Sequence, residues 1–139
     1  MYDILEQIYK LQHELNCKIG LDTINDVNKK DWLFQLTHAL HDEVNELSNS
    51  CHWKWWSEDV KNNPELMFKG VRDIGNAKIE AVDILHFLVS IFQVLDMTPD
   101  DILDVYKKKH QKNMERQDNN YDIETKDEND NKEIINSIQ

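Results

Sequence analysis

Residues 73–96, DIGNAKIEAVDILHFLVSIFQVLD, decide the fold. Between Ile79 and Leu95, 12 of the 17 residues are apolar, and the exceptions are Glu80, Asp83, His86, Ser90 and Gln93. The run falls short of a membrane span and carries two acids at one end, so it reads as a core helix, apolar nearly all round and central in a bundle. Working outward, Thr98 is a good N-cap for a following helix, with Pro99 at its first position and Asp101 three residues after the cap; that helix is expected to run to about Asp118. Upstream, a helix from Lys30 to Ser50 presents Leu33, Leu36, Leu40, Val44 and Leu47 on one side. A first helix over Tyr2–Asn16 has the stripe Leu5, Ile8, Leu11, Leu15. Residues 17–30, with Gly20, read as a loop holding a short helical turn, and a short helix is expected over Glu65–Gly70. Three glycines and two prolines in 139 residues leave little punctuation for hairpins, so the chain reads as an all-α bundle of about five helices.

One core is as much as this length supports, placed over residues 1–121. Residues 122–139 read as an acidic flexible tail, with six acids against two lysines; its last part, bearing Ile134, Ile135 and Ile138, would form a helical turn given something to pack on. The net charge of −11 argues against a broad grip on nucleic acid or anionic lipid. Cys17 and Cys51 stand at no metal-binding spacing and fit reduced thiols in a cytoplasmic setting. The opening MYDILEQIYK lacks the features of a signal peptide.

Chemistry enters through two acid pairs, Glu43/Glu46 and Glu80/Asp83, each at i,i+3 on a helix. Such a pair projects from one helical face, and two such helices face to face make a four-carboxylate cup. Acid pairs are usually solvated, but Glu43 falls within the leucine stripe, and Glu80 and Asp83 lie in the most apolar stretch of the chain. Protonation or hard cations must relieve their repulsion, and Mg²⁺ is the natural candidate beside a phosphate substrate.

Other features keep two readings. Lys107, Lys108, Lys109, Lys112 and Arg116 make either a solvated basic helix end or a triphosphate grip. The tryptophans of CHWKWW (51–56) either close the bundle or form a base-stacking or lid element. His38 and His41, with Cys51 and His52 further on, hint at zinc but match no closed four-ligand pattern.

Several motifs in order, from Leu11 to Tyr121, resemble the all-α dimeric dUTPases, relatives of the MazG-type nucleotide pyrophosphatases. They are Leu11-Gln12-x-x-Leu15-Asn16, Glu43-x-x-Glu46, Trp53-Lys54-Trp55-Trp56, Glu80-x-x-Asp83-x-x-His86-Phe87 and Lys109-x-x-x-Asn113-x-x-Arg116-Gln117-x-x-x-Tyr121. The two acid motifs indicate only the wider superfamily; the first and last make the resemblance specific. It implies a MazG-like bundle completed in a homodimer, with Glu43, Glu46, Glu80 and Asp83 holding Mg²⁺ on the phosphate chain. One glutamate of the first pair would orient or deprotonate the attacking water. Gln12 and Asn16 would face uracil, and His86, Phe87 and Trp56 would line the nucleoside pocket. Lys54 belongs to the substrate side by its motif. Lys109, Arg116 and Tyr121 would hold phosphate oxygens, with Asn113 near the sugar or first phosphate. The implied reaction converts dUTP, and dUDP as a further substrate, to dUMP, which would limit uracil in DNA and supply dUMP for dTTP synthesis.

The chain departs from larger members in its short segment between Asp83 and Lys109, which leaves little room for a helical cap. Two rival expectations stand beside the dUTPase reading: a MazG-type enzyme acting on another or damaged nucleoside triphosphate, and a non-catalytic helical interaction module.

Overall fold

The computed structural model describes residues 3–119 and 129–138. Among the described residues six α-helices follow one another: α1 (Ile4–Lys18), α2 (Leu33–Asn49), α3 (Glu58–Asn62), α4 (Ile74–Val94), α5 (Pro99–Asp118) and α6 (Asn129–Ile138). Two 3-10 turns join them, Lys29–Trp32 running into α2 and Pro64–Phe68 following α3. Among the described residues there is no strand, only an isolated bridge between Cys51 and Val71. The all-α expectation holds.

The chain divides into two compact units, Met1–Asp96 and Met97–Gln139. In the first, α4 packs against both α1 and α2, the central position its sequence predicts. Leu21, Leu36 and Val94 form the core, with Leu33, Phe87 and Ile91 packed against them. Side-chain caps fix the starts of α1 and α4. Asp3 accepts from the Leu5 N–H at 3.0 Å and Asp73 from the Asn76 N–H at 3.0 Å, each satisfying a donor that the first turn leaves open. After α1 the chain turns at Gly20, whose φ of +89° suits a residue without Cβ.

The ends of residues 51–71 are clasped. The Ser50 carbonyl accepts from the N–H groups of Arg72 (2.6 Å) and Asp73 (3.2 Å), and Asn76 Nδ2 donates to Ser50 Oγ at 3.0 Å. The end of α2 is thereby held against the start of α4. Within this excursion the expected helix over Glu65–Gly70 is the 3-10 turn Pro64–Phe68, and α3 precedes it unforeseen.

The face of α1 differs from expectation. Leu11 and Leu15 are exposed at 65% and 45%, whereas Gln12 and Asn16 are buried at 5% and 3%. Polar partners inside the unit account for this. Asn16 Nδ2 lies within hydrogen-bond reach of Thr23 Oγ1 (3.2 Å), Ser90 Oγ (3.0 Å) and Gln93 Oε1 (3.2 Å), while its Oδ1 accepts from Gln12 Nε2 at 2.9 Å. The Thr23 hydroxyl donates to Gln93 Oε1, and Gln93 Nε2 donates to the Tyr9 carbonyl at 2.8 Å. Among the described residues no buried side-chain nitrogen or oxygen lacks a partner, so the network satisfies the rule for polar groups taken from water.

In the second unit, Thr98 and Asp101 form a reciprocal capping box with Pro99 at the first helical position, as the sequence predicts. α6 packs on α5 and buries Ile134, while Ile135 and Ile138 stay 46% and 50% exposed. Lys112 pairs with Glu133 at 2.6 Å. The boundary expected after Tyr121, and residues 122–128 and 139 of the expected tail, lie outside the described residues, whereas 129–138 form α6.

Candidate active site

Glu43 and Glu46 stand one turn apart on α2, and Glu80 stands on the facing α4, in the stretch that the Ser50 clasp holds together. One oxygen from each of these three carboxylates lies within 4.8 Å of the others. Glu80 is buried, Glu43 half-buried and Glu46 exposed, so the trio opens to solvent on the α2 side. Asp83, the fourth member of the expected cup, does not enter this trio, yet its charge reaches both glutamates of α2.

The electrostatics report the crowding. Loss of hydration pushes the Glu43 carboxyl above the usual carboxylate range, and the charges of Glu46, Asp83 and Glu80 add to the shift. For Glu46 the Glu80 charge acts first, followed by loss of hydration. Both shifts favour whatever supplies positive charge, a proton or a hard cation. An all-oxygen donor set with one open side fits Mg²⁺.

Two of the cavities bordering these helices involve expected site residues. One, of about 300 Å³, is mainly apolar and is lined by Ile8, Leu11, Gln12, Val82, Leu85 and His86. His86 Nδ1 lies 2.5 Å from Gln12 Oε1, linking the cavity wall to the buried network behind it. Gln12 thus reaches the cavity, whereas Asn16 stands behind Gln12 with its amide engaged by Thr23, Ser90 and Gln93. The other cavity, of about 380 Å³, lies at the Ser50 clasp and includes Lys54, His52, Arg72 and Asp59 in its lining. Arg72, absent from the sequence reading, donates to the Asn49 carbonyl at 2.8 Å.

The remaining expected residues are distributed as follows. Phe87 packs on the Leu21–Leu36–Val94 core. Trp56 is 47% exposed and meets Trp53 and Trp55 edge-on, at ring-centroid distances of 5.5 and 5.3 Å. Lys54 Nζ lies 5.7 Å from the Trp53 ring centroid. Lys109, Asn113 and Arg116 belong to the second unit; Lys109 donates to Asn131 Oδ1 at 2.9 Å, and Arg116 to Asn113 Oδ1 at 3.3 Å. Tyr121 lies outside the described residues. The zinc hint fails among the described residues: His52 meets Asp59 at 3.3 Å, His38 lies edge-on to Phe34, and they form no common ligand group with Cys51. Sequence reasoning missed a different set, His13, Cys17 and Asp22, whose ligand atoms also lie within 4.8 Å of one another.

A family model described as dUTPase matches residues 4–97, a span that contains both acid pairs. A dCTP pyrophosphatase of Enterobacteria phage T4 is 30% identical over 115 residues, an alignment covering 73% of this chain and 66% of that protein. The chain therefore spans just under two thirds of that relative's length. No solved structure matches significantly.

Proposed function

The chain belongs to the dUTPase family, and from that premise we propose that it is a Mg²⁺-dependent pyrophosphatase of nucleoside triphosphates with dUTP as its substrate. The carrying observation is the meeting of Glu43, Glu46 and Glu80 within 4.8 Å across two helices, one of the three buried. Burying a carboxylate beside two others is costly unless cations use them. These three, with Asp83 alongside, would hold the metal. When bound, Mg²⁺ supplies charge neutralisation on the phosphate oxygens and acidifies water.

The chain's own groups do the rest. A glutamate of the α2 pair, on the open side of the trio, orients the attacking water. Gln12 and His86 offer an amide and an imidazole at the wall of the apolar cavity, where a base edge needs both donors and acceptors. Asn16 acts through Gln12 as a positioning residue, since its oxygen accepts the Gln12 amide. Lys54, at the wall of the clasp cavity, is the cationic group of the first unit proposed for the phosphates. dUDP is the further substrate of the same reading.

A homodimer also belongs to the proposal. Leu11, Leu15, Ile79 and Val82 on α1 and α4 are 45–65% exposed in the single chain, and a second copy would cover them.

The similarity to a dCTP pyrophosphatase makes dCTP the competing substrate. Pyrophosphate release is to be measured from dUTP, dCTP, dTTP and dATP, with Mg²⁺ and with EDTA. Preference for dUTP with Mg²⁺ supports the reading. Preference for dCTP replaces the substrate while keeping the chemistry, and no release from any nucleotide overturns both.

A further inference from the structure

We propose that His13, Cys17 and Asp22 form a second cation site, which takes one borderline divalent ion such as Zn²⁺ and locks α1 to the turn that follows it. His13 and Cys17 are one turn apart on α1 and share a face, and Asp22 comes from the chain beyond Gly20. Cys17 Sγ lies 3.7 Å from His13 Nε2, and that nitrogen lies 3.9 Å from Asp22 Oδ1. A tetrahedral zinc with bonds of about 2.0–2.3 Å sets its ligand atoms roughly 3.3–3.8 Å apart. With all three ligand atoms within 4.8 Å of one another, inward movements of at most about 1–1.5 Å close the set around an ion.

The donor set identifies the metal class. Sulfur, nitrogen and oxygen together suit zinc and its neighbours, whereas Mg²⁺ prefers oxygen alone. Asp22 is already held in place: its Oδ1 accepts from the N–H groups of Ile24 (3.1 Å) and Asn25 (2.9 Å) and from Asn25 Nδ2 (3.3 Å), and Oδ2, which accepts from Asn25 Nδ2 at 3.1 Å, is the freer oxygen for an ion. Bonds of this kind orient a metal-binding carboxylate. On binding, the Cys17 thiol gives its proton to solvent as the sulfur–metal bond forms, and water takes the fourth position.

The consequence lies one residue away. His13 follows Gln12, Cys17 follows Asn16, and Asp22 precedes Thr23. The three outer ligands are the sequence neighbours of three members of the buried network. An ion here ties α1 to the turn carrying Thr23, and so keeps Thr23 against Gln93.

The test uses the reduced full-length chain titrated with Co²⁺. A thiolate-to-cobalt charge-transfer band is expected, saturating at one ion per chain, displaced by Zn²⁺ and accompanied by a higher Tm. Cys17→Ser should abolish the band and His13→Ala should weaken Co²⁺ binding at least tenfold, while Cys51→Ser leaves both unchanged. Cys17 is exposed, so its replacement does not threaten folding. The acid trio holds no sulfur and cannot produce this band, which keeps the result independent of the proposed catalytic metal. No band, or one that survives Cys17→Ser, overturns the proposal.

Discussion

Replacing Asn16 by Ala tests whether the buried amide network holds the first unit together. In the wild type the oxygen of Asn16, a residue 3% exposed, accepts the Gln12 amide at 2.9 Å, and its nitrogen faces Thr23, Ser90 and Gln93 at 3.0–3.2 Å. After truncation Thr23 keeps its bond to Gln93, and Ser90 keeps the His86 carbonyl at 3.0 Å, so these groups lose strength without being stranded. Gln12 Nε2, on a residue 5% exposed, loses the acceptor it had. A stranded buried donor costs about 1–3 kcal/mol and each further lost bond about 0.5–1.5 kcal/mol. The expected total is about 3 kcal/mol. For a chain of this length that is roughly a 10 °C fall in Tm. Urea unfolding at pH 7 and fixed protein concentration, followed by circular dichroism, measures it. The midpoint should fall with m unchanged, whereas Asn45→Ala on the exposed face of α2 should stay within about 0.5 kcal/mol of wild type. An Asn16→Ala protein as stable as the Asn45→Ala control would show that the amide does not support the fold, and the positioning role given to it would go as well.

Three further outcomes are expected. Glu80→Gln should cut turnover at least a hundredfold and remove the Mg²⁺-induced rise in Tm, while the metal-free variant melts no lower than wild type because one repelling charge is gone; loss of metal-ligand support commonly costs 10–100-fold, and a ligand itself at least as much. Apo-protein stability should decline as pH rises from 4.5 through the raised values of Glu43 and Glu46, because a carboxyl that binds protons more tightly when folded stabilises only while protonated. Mg²⁺ should cancel that decline, and a metal-free Tm that climbs steadily through the same window would contradict it. Leu11→Asp should shift the mass seen by light scattering toward a monomer; an unchanged dimer would remove α1 from the interface.

The readable parts of the fold were those with local causes. Thr98, Pro99 and Asp101 announce α5 because a cap is written within four residues, and the i,i+3 spacing placed Glu43 beside Glu46. The nearly continuous apolar run also found α4 and its central place, which the structure realises against α1 and α2, and apolar periodicity supplied the stripes of α1 and α2. That periodicity misjudged α1 because the partners of Gln12 and Asn16 are Thr23, His86, Ser90 and Gln93, most of them more than 70 positions away. Hydrophobic pattern counts such amides as surface; only their complementary partners bring them inside. The His13–Cys17–Asp22 group escaped for a related reason. Its first two members share a helical face in plain view, but the third arrives only after the turn at Gly20.

The clasp at Ser50 has an evolutionary corollary. Because the Arg72 and Asp73 amides close the base of residues 51–71 on one carbonyl, the register of α2 against α4 is set independently of what lies between. Lengthening a closed excursion adds little entropic penalty, about 0.6 kcal/mol per doubling. Residues 51–71 can therefore change in length away from Lys54 and Trp56 without shifting the glutamates of α2 and α4.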